Sequence, residues 1–153
     1  MNRISVLDCT LRDGGYINDF HFGYAVMKDI IDKLSKACVD IIECGFLKSG
    51  AYDRDDSLFG NVEVIKELIT KKYPGRMYVA MLQYGAMMSE EISRCEHDSI
   101  DGIRITFHEH EMDGAFVLAE ELMHKGYKIF MQPVGTTTYS DQKLLKLIES
   151  MNN

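Results

Sequence analysis

Short apolar runs alternate along this chain with stretches whose apolar residues recur every three or four positions. The apolar runs predict strands over residues 4–7, 39–44, 77–82, 103–107 and 129–134. The stretches with helical spacing predict helices within residues 24–38, 62–69, 89–95, 115–122 and 144–148. This alternation is typical of a chain in which each strand is followed by a helix. The pattern therefore predicts five β-α units.

Strands separated by single helices run parallel with right-handed crossovers, and their apolar runs imply burial on both faces. Two α/β architectures satisfy this pattern: an open doubly wound sheet, and the first five units of an eight-fold barrel. No Gly-x-Gly-x-x-Gly motif follows the first predicted strand. The absence of that motif disfavours a dinucleotide-binding sheet.

Composition restricts the class of protein. The chain has 153 residues, 46% hydrophobic and 27% charged, which is ordinary for one globular domain. Its net charge of −7 argues against a nucleic-acid surface, which would carry clustered Lys and Arg. No apolar run approaches the roughly 20 residues that a membrane-spanning helix needs, and no signal peptide precedes the first strand. We therefore expect a small-molecule partner, with no nucleic acid and no membrane.

The cysteines indicate a reducing compartment. None of the four forms a Cys-x-x-Cys pair, which disfavours a zinc knuckle or a disulfide framework. We expect reduced thiols in a cytoplasmic protein. Cys9 and Cys44 fall near strand ends and could line a pocket, although a small buried apolar role is commoner for such cysteines.

The most polar strand end follows the first predicted strand, where the chain is predicted to enter a polar loop. Residues 7–16 read Leu-Asp-Cys-Thr-Leu-Arg-Asp-Gly-Gly-Tyr and place Asp8, Arg12 and Asp13 before two glycines that allow a ligand to approach the backbone closely. This concentration of charge indicates a site. The alternative is a solvated turn, since Asp and Gly are common turn residues.

The run Thr10-Leu11-Arg12-Asp13-Gly14 resembles the first-strand signature of the DRE-TIM metallolyases. This superfamily of aldolases and acyl lyases includes HMG-CoA lyase, isopropylmalate synthase and, most similar to this chain, 4-hydroxy-2-oxovalerate aldolase. The resemblance implies that the five units are the N-terminal portion of a TIM (β/α)8 barrel. It also implies that Asp13 binds a divalent metal, Mn²⁺, Mg²⁺ or Zn²⁺, and that Arg12 stabilises the enolate oxygen of a 2-oxo acid.

A complete barrel usually needs about 250 residues. We therefore expect residues 1–153 to be one domain that stops before strands six to eight of the barrel. The first and fifth strands would then be open edges, and self-association through them is expected.

In such barrels the chemistry lies at the carboxyl ends of the strands. Glu43 begins a Glu-Cys-Gly run similar to the family's Glu-x-Gly, which implies a supporting role in catalysis; the alternative is a Glu paired with a neighbouring Arg inside the barrel. Gln83 and Tyr84 follow the third predicted strand and are candidate substrate contacts; the alternative is simple exposure. The charged loop 48–60, which begins at Lys48, could cover a substrate or simply be solvated.

The fourth and fifth strands add further candidates. Arg104 lies within a strand, where a charge needs a carboxylate partner or solvent. His108 and Glu111 resemble the His and Glu that follow strand four in the hydroxy-oxovalerate aldolases. His108 and His110, two apart on an extended segment, could also chelate a metal, although exposed histidines before a helix more often cap it. Gln132, near the end of the fifth strand, is a possible substrate contact.

Two departures from the family pattern affect the site. Where the aldolases carry a catalytic His, this chain has Gly15 and Tyr16, so Tyr16 or His21 would have to act as the base. The family's His-x-His metal ligands come from strand seven, which this sequence does not contain. With Asp13 as the single ligand from the family's set, we expect metal binding by this chain to be weak or absent.

Together these features predict a divalent-metal-dependent aldolase or lyase that cleaves a carbon–carbon bond in a 2-oxo acid, and little activity from these residues alone. Two alternatives remain open. One is a Claisen synthase of the isopropylmalate synthase type, which condenses acetyl-CoA with a 2-oxo acid. The other is a non-catalytic interaction domain that pairs through its open sheet edges.

Overall fold

Parallel strands form one sheet, seen here in a computed structural model that describes residues 4–152. The strands are β1 (Leu7–Asp8), β2 (Ile41–Leu47), β3 (Leu58–Phe59), β4 (Met77–Gln83), β5 (Gly102–Phe107) and β6 (Lys128–Pro133). Five of them lie side by side in the order β1, β2, β4, β5, β6, and the short β3 pairs with the end of β2. Every strand pair in the sheet is parallel.

Helical segments connect these strands. The α-helices are α1 (Thr10–Asp13), α2 (Gly15–Asn18), α3 (Tyr24–Lys36), α4 (Glu63–Leu68), α5 (Met112–His124) and α6 (Asp141–Asn152). Single 3-10 turns occur at Ser89–Glu91, Glu109–Glu111 and Thr136–Thr138. No helix in the described part of the chain is both long enough and apolar enough to cross a bilayer.

The strand order decides between the two architectures that the sequence allowed. Because each strand adds to the same side of the sheet without reversal, right-handed crossovers place the helices on one face. A doubly wound sheet would reverse its strand order and carry helices on both faces. The five strands instead curl into a half-barrel, which confirms the predicted five units of a (β/α)8 barrel.

The hydrophobic core fills the space between the sheet and its helices. Strand side chains that face the helices are almost all buried there, among them Ile42, Cys44, Tyr78, Ala80, Leu82, Ile103, Ile105 and Phe107. Tyr78 is fully buried, and its hydroxyl lies 3.0 Å from the Ser35 hydroxyl of α3. The opposite face of the sheet corresponds to the interior of a barrel.

A β-bulge in β2 changes which side chains reach that interior face. Glu43 is in register with Val79 and Phe46 with Met81, so three residues of β2 span the same length as two of β4. Registered residues of parallel neighbours point to the same side, and Val79 and Met81 share a face because they are two apart. Glu43 and Phe46 therefore point to the same face, although regular alternation would place them on opposite faces.

Three predictions about local structure are wrong. The first strand, predicted over residues 4–7, is Leu7–Asp8, and Ile4 is 85% exposed because it lies at the open edge of the sheet. The segment after it is not a loop but the helical turns α1 and α2, and the Asp8 carboxylate accepts hydrogen bonds from the Thr10 amide and hydroxyl at the start of α1. The helix predicted over residues 89–95 is one 3-10 turn, and its backbone becomes extended at Ile92.

Candidate active site

Hydrogen bonds between charged side chains cross the interior face of the sheet. Glu43 lies at their centre: its Oε2 accepts from Arg12 Nε at 2.8 Å, and its Oε1 accepts from Arg104 Nη1 at 2.7 Å. Arg104 Nη2 also donates to Gln132 Oε1 at 2.9 Å. The structure thus brings together four predicted site residues from α1, β2, β5 and β6, which we call the Arg–Glu–Arg network.

Burial makes this network energetically important. The side chain of Glu43 is completely buried, and those of Arg104 and Arg12 are only 10% and 17% exposed. A buried carboxylate requires charged or hydrogen-bonding partners, and here two guanidinium groups supply them. The expected alternative role of Glu43, pairing with a neighbouring Arg inside the barrel, is confirmed.

The surroundings of Arg12 favour its charged form. Burial by itself lowers the pKa of Arg12, but the hydrogen bond and negative charge of Glu43 outweigh that effect. The pKa of Arg12 is therefore raised above its ordinary value. A guanidinium held charged in this way can stabilise a negative oxygen at any physiological pH.

Asp13 extends the network toward solvent. Its Oδ1 accepts a hydrogen bond from Arg12 Nη1, and its Oδ2 accepts one from the Cys9 thiol at 3.0 Å. That hydrogen bond to Asp13, together with partial burial, raises the pKa of Cys9. Cys9 therefore acts as a neutral donor that orients the Asp13 carboxylate, whereas Cys44 is a buried core residue.

The two candidate bases lie in different surroundings. Tyr16 lies in α2, four residues after Arg12 of α1, and its ring packs edge-to-face on Phe20 and Phe46. Its side chain is 69% exposed. His21 instead lies 2.8 Å from Asp56, measured from Nδ1 to Oδ1, and forms no hydrogen bond with the network within residues 4–152. Tyr16 is thus the candidate base that contacts the interior face of the sheet, through Phe46.

We expect the pKa of His21, which is paired with Asp56, to lie above the usual range for histidine. The hydrogen bond to Asp56 raises the pKa of His21, with smaller contributions from the charges of Asp55 and Asp53. Because the folded-state pKa exceeds the unfolded value, the pair stabilises the fold fully below the unfolded pKa and loses this effect as pH rises through the folded pKa.

NMR titration of the His21 ring should show that Asp56→Asn lowers the pKa of His21 by more than Asp53→Asn does. Equal effects of the two variants would contradict the assignment.

The histidines after β5 do not join the network. The segment was predicted to be extended, but Glu109–Glu111 forms a 3-10 turn, and Glu111 Oε2 accepts a hydrogen bond from the His108 amide at 2.7 Å. The rings of His108 and His110 stack with centroids 5.9 Å apart. No three His, Cys, Asp or Glu side chains converge to hold a metal anywhere in residues 4–152. Asp13 thus has no second and third ligand beside it within these residues, which by themselves do not supply the ligand set of a divalent metal.

Sequence reasoning missed an aromatic cluster beside the network. Tyr16, Phe20 and Phe46 pack edge-to-face, with ring centroids 5.3–6.5 Å apart. Phe46 could not be assigned to this face from alternation, because the bulge reverses the expected direction of its side chain. The presence of these three residues was the only sign of the cluster in the sequence. They lie up to 30 residues apart, and nothing in their spacing connects them.

The fold of the described residues is an α/β half-barrel with five parallel strands side by side. Among solved structures, it is similar to the N-terminal domain of a putative aldolase from Bacteroides vulgatus, with a TM-score of 0.67 and 24% sequence identity. The match covers 95% of this chain and 50% of the other, so this chain spans about half the length of that protein. Neither a protein-family model nor a curated protein matches the sequence.

Proposed function

We propose that this chain supplies the enolate-stabilising groups of a carbon–carbon lyase that acts on a 2-oxo acid. The observation that supports the proposal is the Arg–Glu–Arg network on the interior face of the half-barrel. Active sites of (β/α)8 enzymes lie at the carboxyl ends of the strands. Arg12 follows β1 there, and Gln132 lies next to the last residue of β6.

The network can bind an anion without losing its own contacts. Each guanidinium has five N–H donors, and Arg12 and Arg104 each use two of them in the hydrogen bonds above. Further donors therefore remain for the carboxylate and carbonyl oxygens of a 2-oxo acid. Glu43 holds both groups in place, so little reorganisation is needed when negative charge develops.

The proposed reaction is retro-aldol cleavage. A base removes the proton of the substrate hydroxyl, the carbon–carbon bond breaks, and its electron pair moves into the 2-oxo acid portion as an enolate. Arg12 stabilises the enolate oxygen, and the other product is an aldehyde. Tyr16 is the proposed base because its ring packs on Phe46, whose side chain shares the interior face with Glu43.

The role of a metal is a separate proposal. In the DRE-TIM metallolyases, which this chain resembles, an Asp at the position of Asp13 binds a divalent metal. Here a divalent ion such as Mn²⁺ or Mg²⁺ would need ligands in addition to the described residues. The steps assigned above to Arg12 and Tyr16 do not depend on it.

Oxalate, a planar mimic of the pyruvate enolate, provides a direct test. We expect an NMR titration of this chain with oxalate to perturb the Nε–H signals of Arg12 and Arg104. Arg12→Met should weaken binding at least about tenfold, since a charge-assisted, two-point contact is lost. Arg12→Lys keeps the charge but not the two-point donor geometry of the guanidinium, and should weaken oxalate binding nearly as much.

Arg54→Met is the matched control for these variants. Arg54 is also paired with a glutamate, Glu67, but both side chains are 61% exposed. Its replacement should leave oxalate binding unchanged. Oxalate that binds equally well to the wild-type chain and to Arg12→Met, or that binds to neither, would refute the proposed function.

A further inference from the structure

A pocket opens beside the Arg–Glu–Arg network. It has a volume of about 230 Å³ and lies where β2 and β4 end. Three rings, Tyr16, Phe20 and Phe46, form its apolar wall, and Lys48 and Gln83 also line it. We call it the aromatic pocket. Its volume exceeds that of an engineered cavity of about 150 Å³ that holds benzene.

The backbone is strained where it places one of these rings. Phe20 has a φ angle of +64°, in the left-handed region that bulky side chains rarely adopt, and it directly follows Asp19, which ends α2. The Phe20 ring also packs so closely on Gly15 that a Cβ there would lie 2.1 Å from the ring. A strained residue costs free energy, and such strain is concentrated at functional sites.

The polar residues of the pocket have unused hydrogen-bonding groups. The Lys48 ammonium and the Gln83 side-chain amide make no hydrogen bond or ion pair with any residue from 4 to 152. Both side chains are exposed, whereas Phe20 and Phe46 are half-buried. The pocket thus presents an apolar wall together with a free positive charge.

The aromatic pocket and the Arg–Glu–Arg network are adjacent. Glu43 and Phe46 point to the same face of β2, three residues apart, so at most about 10 Å of strand separates them. Tyr16, which packs on Phe46, is four residues after Arg12 in the chain. A single small molecule can therefore reach both sites.

We propose that the aromatic pocket binds an aromatic ring that carries an anionic substituent, with the ring against Tyr16, Phe20 and Phe46 and the anion at Lys48. The pocket then selects the portion of the substrate that leaves as the aldehyde. This second statement rests on the function proposed above, whereas the binding of the ring does not.

Benzoate is the probe that tests this assignment. We expect saturation-transfer NMR to show that benzoate binds to the chain and that Tyr16→Ser weakens binding about tenfold through loss of a ring contact. Tyr16→Phe keeps the ring and removes the hydroxyl, so benzoate should bind to it as to the wild-type chain. Lys48→Met should weaken benzoate binding about threefold or more. It should leave the binding of benzyl alcohol unchanged, because benzyl alcohol has no charge.

Arg12→Met separates this proposal from the proposed function. That variant should lose oxalate binding and retain benzoate binding. Retained oxalate binding with no benzoate binding would overturn the pocket assignment alone. Benzoate binding that is insensitive to both Tyr16→Ser and Lys48→Met would overturn it as well, because the probe would then occupy another place.

Discussion

Glu43→Gln is expected to destabilise the fold by about 3–5 kcal/mol, the typical cost of breaking a buried ion pair on one side. Glutamine is nearly isosteric with glutamate, but it has one acceptor oxygen and places an NH₂ group against a guanidinium. Either Arg12 or Arg104 then lacks its partner, and Arg104 is nearly buried. Urea denaturation should measure the loss, and the melting temperature should fall by roughly 10 °C.

Glu67→Gln is the control for that variant. It removes the negative charge from another Arg–Glu pair, Arg54–Glu67, whose groups are 3.4 Å apart and exposed. Exposed pairs contribute about 0–1 kcal/mol, so this variant should hardly change the midpoint. Equal losses in the two variants would mean that burial does not strengthen the role of Glu43.

Gly45→Ala is expected to destabilise the protein strongly and to disturb the site. Gly45 has a φ of +143°, and a Cβ there would lie 2.3 Å from the Ser57 carbonyl oxygen and 2.8 Å from the Phe59 ring. The backbone would have to leave this conformation, and the bulge that turns Phe46 toward the interior face would be lost. Urea denaturation should report the stability, and benzoate binding should report the position of Phe46.

Gly50→Ala separates backbone strain from steric overlap. Gly50 has a similar φ of +130°, but no atom lies within 4 Å of the position of its Cβ. Its replacement therefore costs the conformational strain alone, and Gly45→Ala should cost about 1–3 kcal/mol more because of overpacking. We expect Gly50→Ala to leave benzoate binding unchanged. If both variants lower the free energy of unfolding equally and both still bind benzoate, the bulge does not position the site.

Local patterns predicted most of the architecture. The five β-α units follow from apolar periodicity, since residues that are close in sequence set that signal. The strands β2, β4, β5 and β6 appear within three residues of their predicted bounds, and α3 and α5 do likewise. The errors lie at Leu7–Asp8, Thr10–Asn18, Leu58–Phe59 and Ser89–Glu91; at the first and last of these places the side chains of Asp8 and Glu91 accept hydrogen bonds from nearby amides.

The sequence predicted which residues belong to the candidate site but not which contacts those residues make. Arg12, Glu43, Arg104 and Gln132 were identified because they lie in or just after strands whose carboxyl ends meet in a barrel. Periodicity could not show that Glu43 accepts hydrogen bonds from both arginines, because partners 31 and 61 residues away are set by strand order. His21 was grouped with the site by sequence proximity, but its partner is Asp56.

The sequence by itself determined most of the secondary structure, the parallel sheet and the types of side chain at the strand ends, because these depend on local spacing and composition. The tertiary structure alone decided which of those side chains meet. The register of β2 against β4 contains a bulge at Gly45, and this single extra residue places Glu43 and Phe46 on one face. Alternation with a period of two cannot reveal such a shift, because it arises from the close packing of Gly45 against Ser57 and Phe59.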